Sequence, residues 1–277
     1  MKVKRFVVMC QCCWAVTLQA QDFPVGIRAQ ALGGCGAAYA SDSEGQLSNP
    51  ALVAAIDNVG ITVFYARPFG LAELPLTAVS AAARWRRLAL GAAGVALEHE
   101  LASARNYAFT LATTLGSGQI DSVGNDWLVV GLQGELNQLE ITQYGQTSAI
   151  AVNLGFTARL AETVRLGVAL RNLTSAMRTA TNERLPRSAV IGLAYAPYDR
   201  FLFQMEVYKQ SEFALEWRGG VEIAVAPPLD IRLGLSSNPD RMTTGIALHL
   251  TPVAIQYTAF SHLELGWTQQ IAVSVQR

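Results

Sequence analysis

Val164-Arg165-Leu166-Gly167-Val168-Ala169-Leu170-Arg171 is the stretch on which the fold turns. Every second side chain is apolar, and arginine, glycine or alanine stands between. Successive side chains of a strand point to opposite faces, so this stretch has one wholly apolar face and one small or charged face. Wound as a helix, the same residues would put arginine and leucine on every side.

The pattern repeats outward in both directions. Ile231, Leu233 and Leu235 alternate with Arg232, Gly234 and Ser236, and Ile271, Val273 and Val275 with Gln270, Ala272, Ser274 and Gln276. Phe201, Phe203, Met205 and Val207 alternate with Gln204 and Glu206, although Leu202 interrupts the polar face. From Ile56 onward this period of two predicts strands at 59–66, 74–85, 88–98, 104–115, 126–140, 147–160, 163–173, 186–196, 200–209, 213–225, 229–237, 241–250, 253–260 and 266–276. A tilted membrane strand needs about nine to eleven residues, which these runs supply.

Composition points the same way. Charged residues make up 15% of the 277, and the mean hydropathy is +0.25. No run of about eighteen uninterrupted apolar residues exists, so a helical span is disfavoured. High apolarity without a long apolar run is what an alternating barrel produces. A soluble β-sandwich would also alternate, but it protects its edges with lysine, and only Lys2, Lys4 and Lys209 are present. The expected fold is therefore all-β, a transmembrane antiparallel β-barrel of about fourteen strands.

The connections carry an orientation. Arg86-Arg87, Ala161-Glu162, Pro197-Tyr198-Asp199, Pro227-Pro228 and Thr251-Pro252 read as tight turns, alternating with longer links such as Ser175 to Leu185 and Ser261 to Leu265. Outer-membrane barrels have short periplasmic turns and longer extracellular loops, so both termini are placed on the periplasmic side. Gly116 to Asn125 is long where a short turn is expected.

The first twenty residues read as a secretory signal. Lys2, Lys4 and Arg5 precede an apolar run from Phe6 to Thr17, and Leu18-Gln19-Ala20 offers a cleavage site before Gln21. A lipoprotein signal is disfavoured, because Met9 and Cys12 stand where a small residue should precede Cys10 and Cys13. Removing Lys2, Lys4 and Arg5 takes the 21 basic residues to 18 against 21 acids, a balance of −3 that offers nothing to nucleic acid. Cleavage would leave Cys35 as the one cysteine, which excludes an internal disulfide and a cysteine-built metal site. The expected divisions are a signal peptide at 1–20, a small-residue segment without clean period at 21–55, and a barrel at 56–277.

That small-residue segment carries a resemblance. The run from Arg28 to Ala40, with Ala31-Leu32-Gly33-Gly34-Cys35-Gly36-Ala37-Ala38 at its centre, and Asn49-Pro50-Ala51 after it resemble the N-terminal signature of the PorV/PorQ-type branch of FadL-like outer-membrane proteins. Leu170-Arg171-Asn172-Leu173, Leu185-Pro186-Arg187 and Leu265-Gly266-Trp267-Thr268-Gln269-Gln270-Ile271 are similar to later motifs of that branch. Departures are Cys35 where alanine or glycine is usual, and Gln269 and Gln270 in place of histidine and arginine. The resemblance implies a fourteen-stranded barrel in the bacterial outer membrane, with its N-terminal segment inside the lumen. The chain is short for that group, which implies small extracellular loops.

Chemistry of an enzymatic kind finds little support. His99, His249 and His262 lie in no metalloprotease spacing, and neither a nucleophile elbow nor a phosphate loop is present. Glu98-His99-Glu100 cannot bring both carboxylates to the histidine, because neighbours on a strand face opposite ways. No enzyme, metal or cofactor is expected. Gly33 and Gly34 are read as tight packing of a plug, and Asn49 with Pro50 as the pair that sets its position. Arg165, Arg171, Glu206, Glu216, Arg218, Glu222, Arg232 and His249 are expected to face the lumen, because an unpaired charge facing lipid costs roughly 2–4 kcal/mol at mid-depth. They make either a charge lattice that stiffens a narrow barrel or a polar path for a ligand. Two functions stay open: FadL-like binding or passage of small hydrophobic molecules, or a PorV-like accessory of type IX secretion with secretion-system proteins as partners. Outer-membrane lipid is a partner in either case. The first expects an apolar pocket beside the N-terminal segment; the second expects exposed apolar loops.

Overall fold

The computed structural model describes residues 25–115, 128–177, 185–262 and 265–277. The expected signal peptide and the whole link from Gly116 to Asn125 lie outside them. Fourteen antiparallel strands close on themselves, each hydrogen-bonded to its sequence neighbours, and the first pairs with the last. They are β1 Val59–Arg67, β2 Leu76–Trp85, β3 Leu88–His99, β4 Ala102–Leu115, β5 Leu128–Ile141, β6 Gly145–Ala161 and β7 Val164–Met177. The second half comprises β8 Ser188–Tyr198, β9 Phe201–Gln210, β10 Glu216–Ala226, β11 Leu229–Ser236, β12 Arg241–Leu250, β13 Val253–His262 and β14 Gly266–Gln276.

Alternation sets the two faces. Along β1, Val59, Ile61, Val63 and Tyr65 are exposed on the outside, while Gly60, Thr62, Phe64 and Ala66 are buried inside. The same holds on β14, where Ile271, Val273 and Val275 face out and Thr268, Gln270, Ala272 and Ser274 face in. An apolar belt outside and hydroxyls, amides and charges inside is the reverse of a soluble barrel, and it is stable only in hydrocarbon. Exposed aromatic residues mark the two edges of the belt: Trp85, Tyr198 and Phe201 near one rim, Tyr65, Trp217 and Trp267 near the other. Such rings favour the membrane interface, where one part is apolar and the other wet.

Both ends of the barrel chain, Val59 and Gln276, lie at one rim, called here the terminal rim. Its five described turns, at 86–87, 162–163, 199–200, 227–228 and 251–252, are two residues each. The fully described links at the opposite rim run from Glu100–Leu101 to the eight residues between Arg67 and Leu76. β8 continues through Pro197 to Tyr198, so the turn there is Asp199–Arg200 rather than Pro197-Tyr198-Asp199. β7 continues past 173 to Met177, because a bulge opposite Asn153 absorbs Asn172 in a left-handed conformation (φ 55°). Asparagine tolerates that conformation. The Asn172 N–H donates to Asn153 Oδ1 at 2.8 Å, and its side-chain amide donates to the Pro186 carbonyl at 2.7 Å.

Residues 25–56 fill the lumen as a plug. It consists of α1 (Ile27–Ala31), α2 (Gly45–Ser48), a 3-10 segment (Pro50–Ala55) and the loop between the helices. Both helices are far too short to persist alone, so their shape is set by the wall around them.

Candidate functional site

The plug runs around the inside of the wall. α1 packs on β11–β14, and the 3-10 segment packs on β2–β6. Between them Leu32 and Gly33 press on β10 and β11, and Ala37 and Ala38 on β7–β9. The wall receives the plug on inward-facing glycines: Gly91, Gly131, Gly155, Gly167, Gly220 and Gly234. A β-carbon at any of them would collide with the plug. At Gly131 it would strike the Pro50 and Ala51 backbone, at Gly167 Ala37, and at Gly234 the Leu32–Gly33 peptide. Close backbone approach is what a glycine inside a strand permits.

Gly33, Gly34, Asn49 and Pro50 lie at this contact. Gly33 (φ +74°) and Gly34 (φ +93°) form the turn after α1. The Gly33 N–H donates to Thr243 Oγ1 at 2.9 Å, and the Thr243 hydroxyl donates to the Ala31 carbonyl at 3.0 Å. Asn49 donates from Nδ2 to the carbonyls of Ala37 (2.7 Å) and Phe156 (3.1 Å), while its Oδ1 accepts the Ala51 N–H at 3.0 Å. It thus joins two plug segments and the wall, and caps the 3-10 segment that Pro50 begins. Proline suits that first position because its missing N–H would have no partner there.

The charged residues divide into two clusters. In one, Arg232 Nε donates to Glu222 Oε2 at 2.6 Å, and Arg28 of the plug forks onto both oxygens of Glu222 at 2.7 and 2.9 Å. Arg232 also donates to Gln256. Arg28 is 5% exposed and Arg232 2%, so this pair-and-a-half is buried and binds plug to wall. In the other, Glu216 accepts from Arg218 at 2.8 Å and Arg241 at 3.2 Å, and Arg218 reaches the Gly34 carbonyl at 3.3 Å. Beside the second cluster, opposite Arg218 on β9, the Glu206 carboxylate accepts the N–H groups of Gly36 (2.7 Å) and Ala37. Arg171 lies within electrostatic reach of Glu206. Arg165 stands apart, over the Tyr39 ring at 4.9 Å, with Arg28 at 4.7 Å from the centre of the same ring.

Three further features were not anticipated from the sequence. Arg28 and Tyr39 lie inside the small-residue run yet organise its charge contacts; as the one cation there, Arg28 was the available signal. Gln133, Asn153 and Thr110 form a hydrogen-bonded amide row that holds the Gln46 carbonyl. The interruption at Leu202 is a plug contact, buried with Ala38 and Ala194. Cys35 is 1% exposed, and burial, reinforced by Glu206 against the opposing Arg218, pushes its thiol well up. A thiol held protonated in this way is a poor nucleophile. Glu98 pairs with Arg105 at the opposite rim, His99 Nδ1 accepts the Leu101 N–H, and no metal-ligand cluster exists among the described residues.

One sector of the lumen wall is apolar. Phe64, Ala66, Leu76, Ala78 and Ala272 pack around Ile27 of the plug, and Val95 and Leu97 extend this surface toward the opposite rim. The lumen therefore has an apolar side on β1–β3 and β14 and a charged side on β9–β12.

The fold and the filled lumen define a plugged transmembrane β-barrel of the outer-membrane type. Several solved structures resemble it. The toluene transporter TbuX of Ralstonia pickettii superposes with a TM-score of 0.64 at 13% identity, over 91% of this chain and 98% of that one. The toluene transporter TodX of Pseudomonas putida gives 0.62 at 11%, over 91% and 96%, and a Pseudomonas aeruginosa FadL homologue 0.61 at 10%, over 90% and 97%. No protein-family model and no curated protein matches the sequence.

Proposed function

We propose that this barrel binds small hydrophobic or amphipathic molecules and passes them across the bacterial outer membrane, with the plug as the closure of the path. The observation that carries this reading is the apolar wall of Phe64, Leu76, Val95 and Leu97, which lies beside the plug at Ile27 on the opposite-rim half of β1–β3. A lattice that served only to stiffen the lumen would have no need for an apolar side. The likeness to barrels described as toluene transporters supports the reading through the fold. On this account the terminal rim is periplasmic, residues 1–20 are a cleaved signal, and 21–55 form the plug.

The secretion-accessory reading, suggested by the PorV/PorQ-like N-terminal block, expects exposed apolar loops. Tyr144 and Phe213 are exposed at the opposite rim. The links that bear them are only three and five residues long, so these rings belong with the interfacial girdle rather than with a docking surface.

The test is uptake of a neutral hydrophobic dye by cells with and without the barrel, repeated with Asn49→Ala and Pro50→Ala at matched outer-membrane levels. Barrel-dependent uptake that both substitutions change by several-fold is expected. Equal uptake with and without the barrel, together with lost secretion of other proteins on deletion, would favour the accessory role.

A further inference from the structure

We propose that the apolar wall beside the plug ends in a polar site on β4 and β5 that takes the ammonium group of a small hydrophobic amine. Such a site deepens the passage reading and rests on it, because it names the head group of a ligand whose body that wall would hold. The strand register sets the two surfaces side by side. Phe64, Ala78, Val95, Asn106 and Asn137 stand opposite one another on β1 to β5. Adjacent strands lie about 5 Å apart, so two such steps separate Val95 from Asn137. Glu135 is the next inward residue on β5, and Gln133 after it holds the Gln46 carbonyl of the plug at 3.1 Å. The site therefore lies immediately on the opposite-rim side of the plug. Beyond it the wall is apolar again, with Ala149 and Ala151 of β6 buried against Leu185.

The chemistry follows from counting hydrogens. The Asn106 side-chain amide donates to Glu135 Oε2 at 3.2 Å and to Asn137 Oδ1 at 2.7 Å. That of Asn153 donates to Glu135 Oε1 at 2.7 Å and to Gln133 Oε1 at 2.9 Å. A side-chain amide has two hydrogens, so both amides are fully used. Asn137 Nδ2 is buried and offers nothing to the lumen. What stays available is a set of acceptors, the remaining lone pairs of the Glu135 carboxylate and of Asn137 Oδ1. A primary ammonium, with three N–H donors and no acceptor, complements that set; a hydroxyl supplies one donor and a carboxylate none. Charge selects in the same sense. Glu222 and Glu216 are each matched by two arginines, and Glu206 by plug N–H groups within reach of Arg218 and Arg171. Glu135 has neutral amide partners alone, and no cation pairs with it among the described residues. Asn106, Glu135 and Asn137 are half-buried, so a charge placed beside them is less screened than on an open surface. Val95 and Leu97, partly buried in the apolar sector, offer the body of the amine dispersion contacts.

The probe is benzylamine, protonated at neutral pH, with benzyl alcohol as a similar body without charge and benzoate as one of opposite charge. Binding is measured by calorimetry on the barrel purified in non-ionic detergent. Benzylamine is expected to bind saturably, and Glu135→Gln to weaken it about tenfold or more, the effect of losing a charge-assisted hydrogen bond. Benzyl alcohol should bind more weakly and be indifferent to Glu135→Gln, which a merely structural role of Glu135 would not allow. Benzoate should not compete. Asn106→Lys brings a cation of the chain itself to the Glu135 carboxylate and should abolish benzylamine binding with Glu135 still in place. Variants are compared only where heat-shifted gel migration shows a folded barrel, and either variant alone keeps the test decisive if the other does not fold. Benzylamine and benzyl alcohol that bind equally, with neither substitution changing the amine, overturn the proposal and leave the passage reading standing. Binding of neither probe overturns it too, and takes with it the apolar surface on which that reading rests.

Discussion

The wall and the plug are built by opposite rules. On the wall, each strand is specified by its own alternation, and the outer surface asks only that side chains be apolar. In the plug no segment has a pattern of its own. α1 and α2 are five and four residues long, and nearly every residue from Ile27 to Ala54 is buried against some other part of the molecule. The wall could exist with another sequence of the same period; the plug exists only where this wall meets it. The difference teaches that a position's tolerance depends on which face of the barrel it occupies rather than on its residue type.

Ion pairs give the largest expected contrast. Glu222 neutralises Arg28 and Arg232 inside the lumen, while Glu98 and Arg105 pair at 3.2 Å on the outside, 57% and 42% exposed. Breaking a buried pair strands a charge and costs about 3–5 kcal/mol, whereas an exposed pair contributes about 0–1 kcal/mol. Glu222→Gln should therefore lower the detergent-state melting temperature strongly and expose the N-terminal segment to protease, while Glu98→Gln changes neither. Equal melting of the two variants would break the distinction between the regions.

A sharper version uses two glycines three residues apart on β5. Gly131 faces the plug, where a β-carbon would meet the Pro50–Ala51 backbone; Gly134 faces outward with nothing within 4 Å. Overfilling a packed contact costs about 1–3 kcal/mol. Gly131→Leu should destabilise plug seating by that order, and Gly134→Leu should be neutral, since leucine suits a lipid-facing position. If both behave alike in melting and in protease sensitivity, the plug is not pressed on the wall as described.

The same contrast explains what could be read from the sequence. Fourteen strands follow from alternation because the physical cause, one face to lipid and one to the lumen, acts on each strand separately. Asn172 is instructive at the edge of that legibility: the alternation stops there, but a bulge carries the strand on to Met177. The inward direction of Arg165, Arg171, Glu216, Arg218 and Arg232 was readable for the same reason. Their partners were not, because pairing depends on register between strands and on a plug whose course no local pattern encodes. Arg28 to Glu222 spans 194 positions. The seat of inward glycines was visible in principle, since Gly131, Gly155, Gly167 and Gly234 each occupy the polar slot of an alternating strand, but it acquires meaning only once the plug's path is known.

The smallest expected effect concerns pH and falls on the plug alone. Glu44 precedes α2, is fully buried, and accepts the Ile27 N–H at 2.8 Å. Burial and the neighbouring Asp42 push its pKa up to about 8, against the pull of that N–H and of Arg232. The unfolded carboxyl titrates near 4.5. Below that value both states hold the proton and the seat has its full stability. As pH rises from there toward 8, the unfolded state releases its proton while the seated plug keeps it, so seating loses stability through this window and changes little above it. Lower resistance of the N-terminal segment to protease at pH 8.5 than at pH 5.5 is expected. Glu44→Gln retains an oxygen for the Ile27 N–H and has no proton to release, so it should flatten the profile while leaving the seat intact. A slope that persists in Glu44→Gln would assign the pH response to another group. A slope of opposite sign in the wild type would mean that Glu44 is ionised in the seated plug, held by the Ile27 N–H and Arg232 more strongly than burial beside Asp42 opposes it.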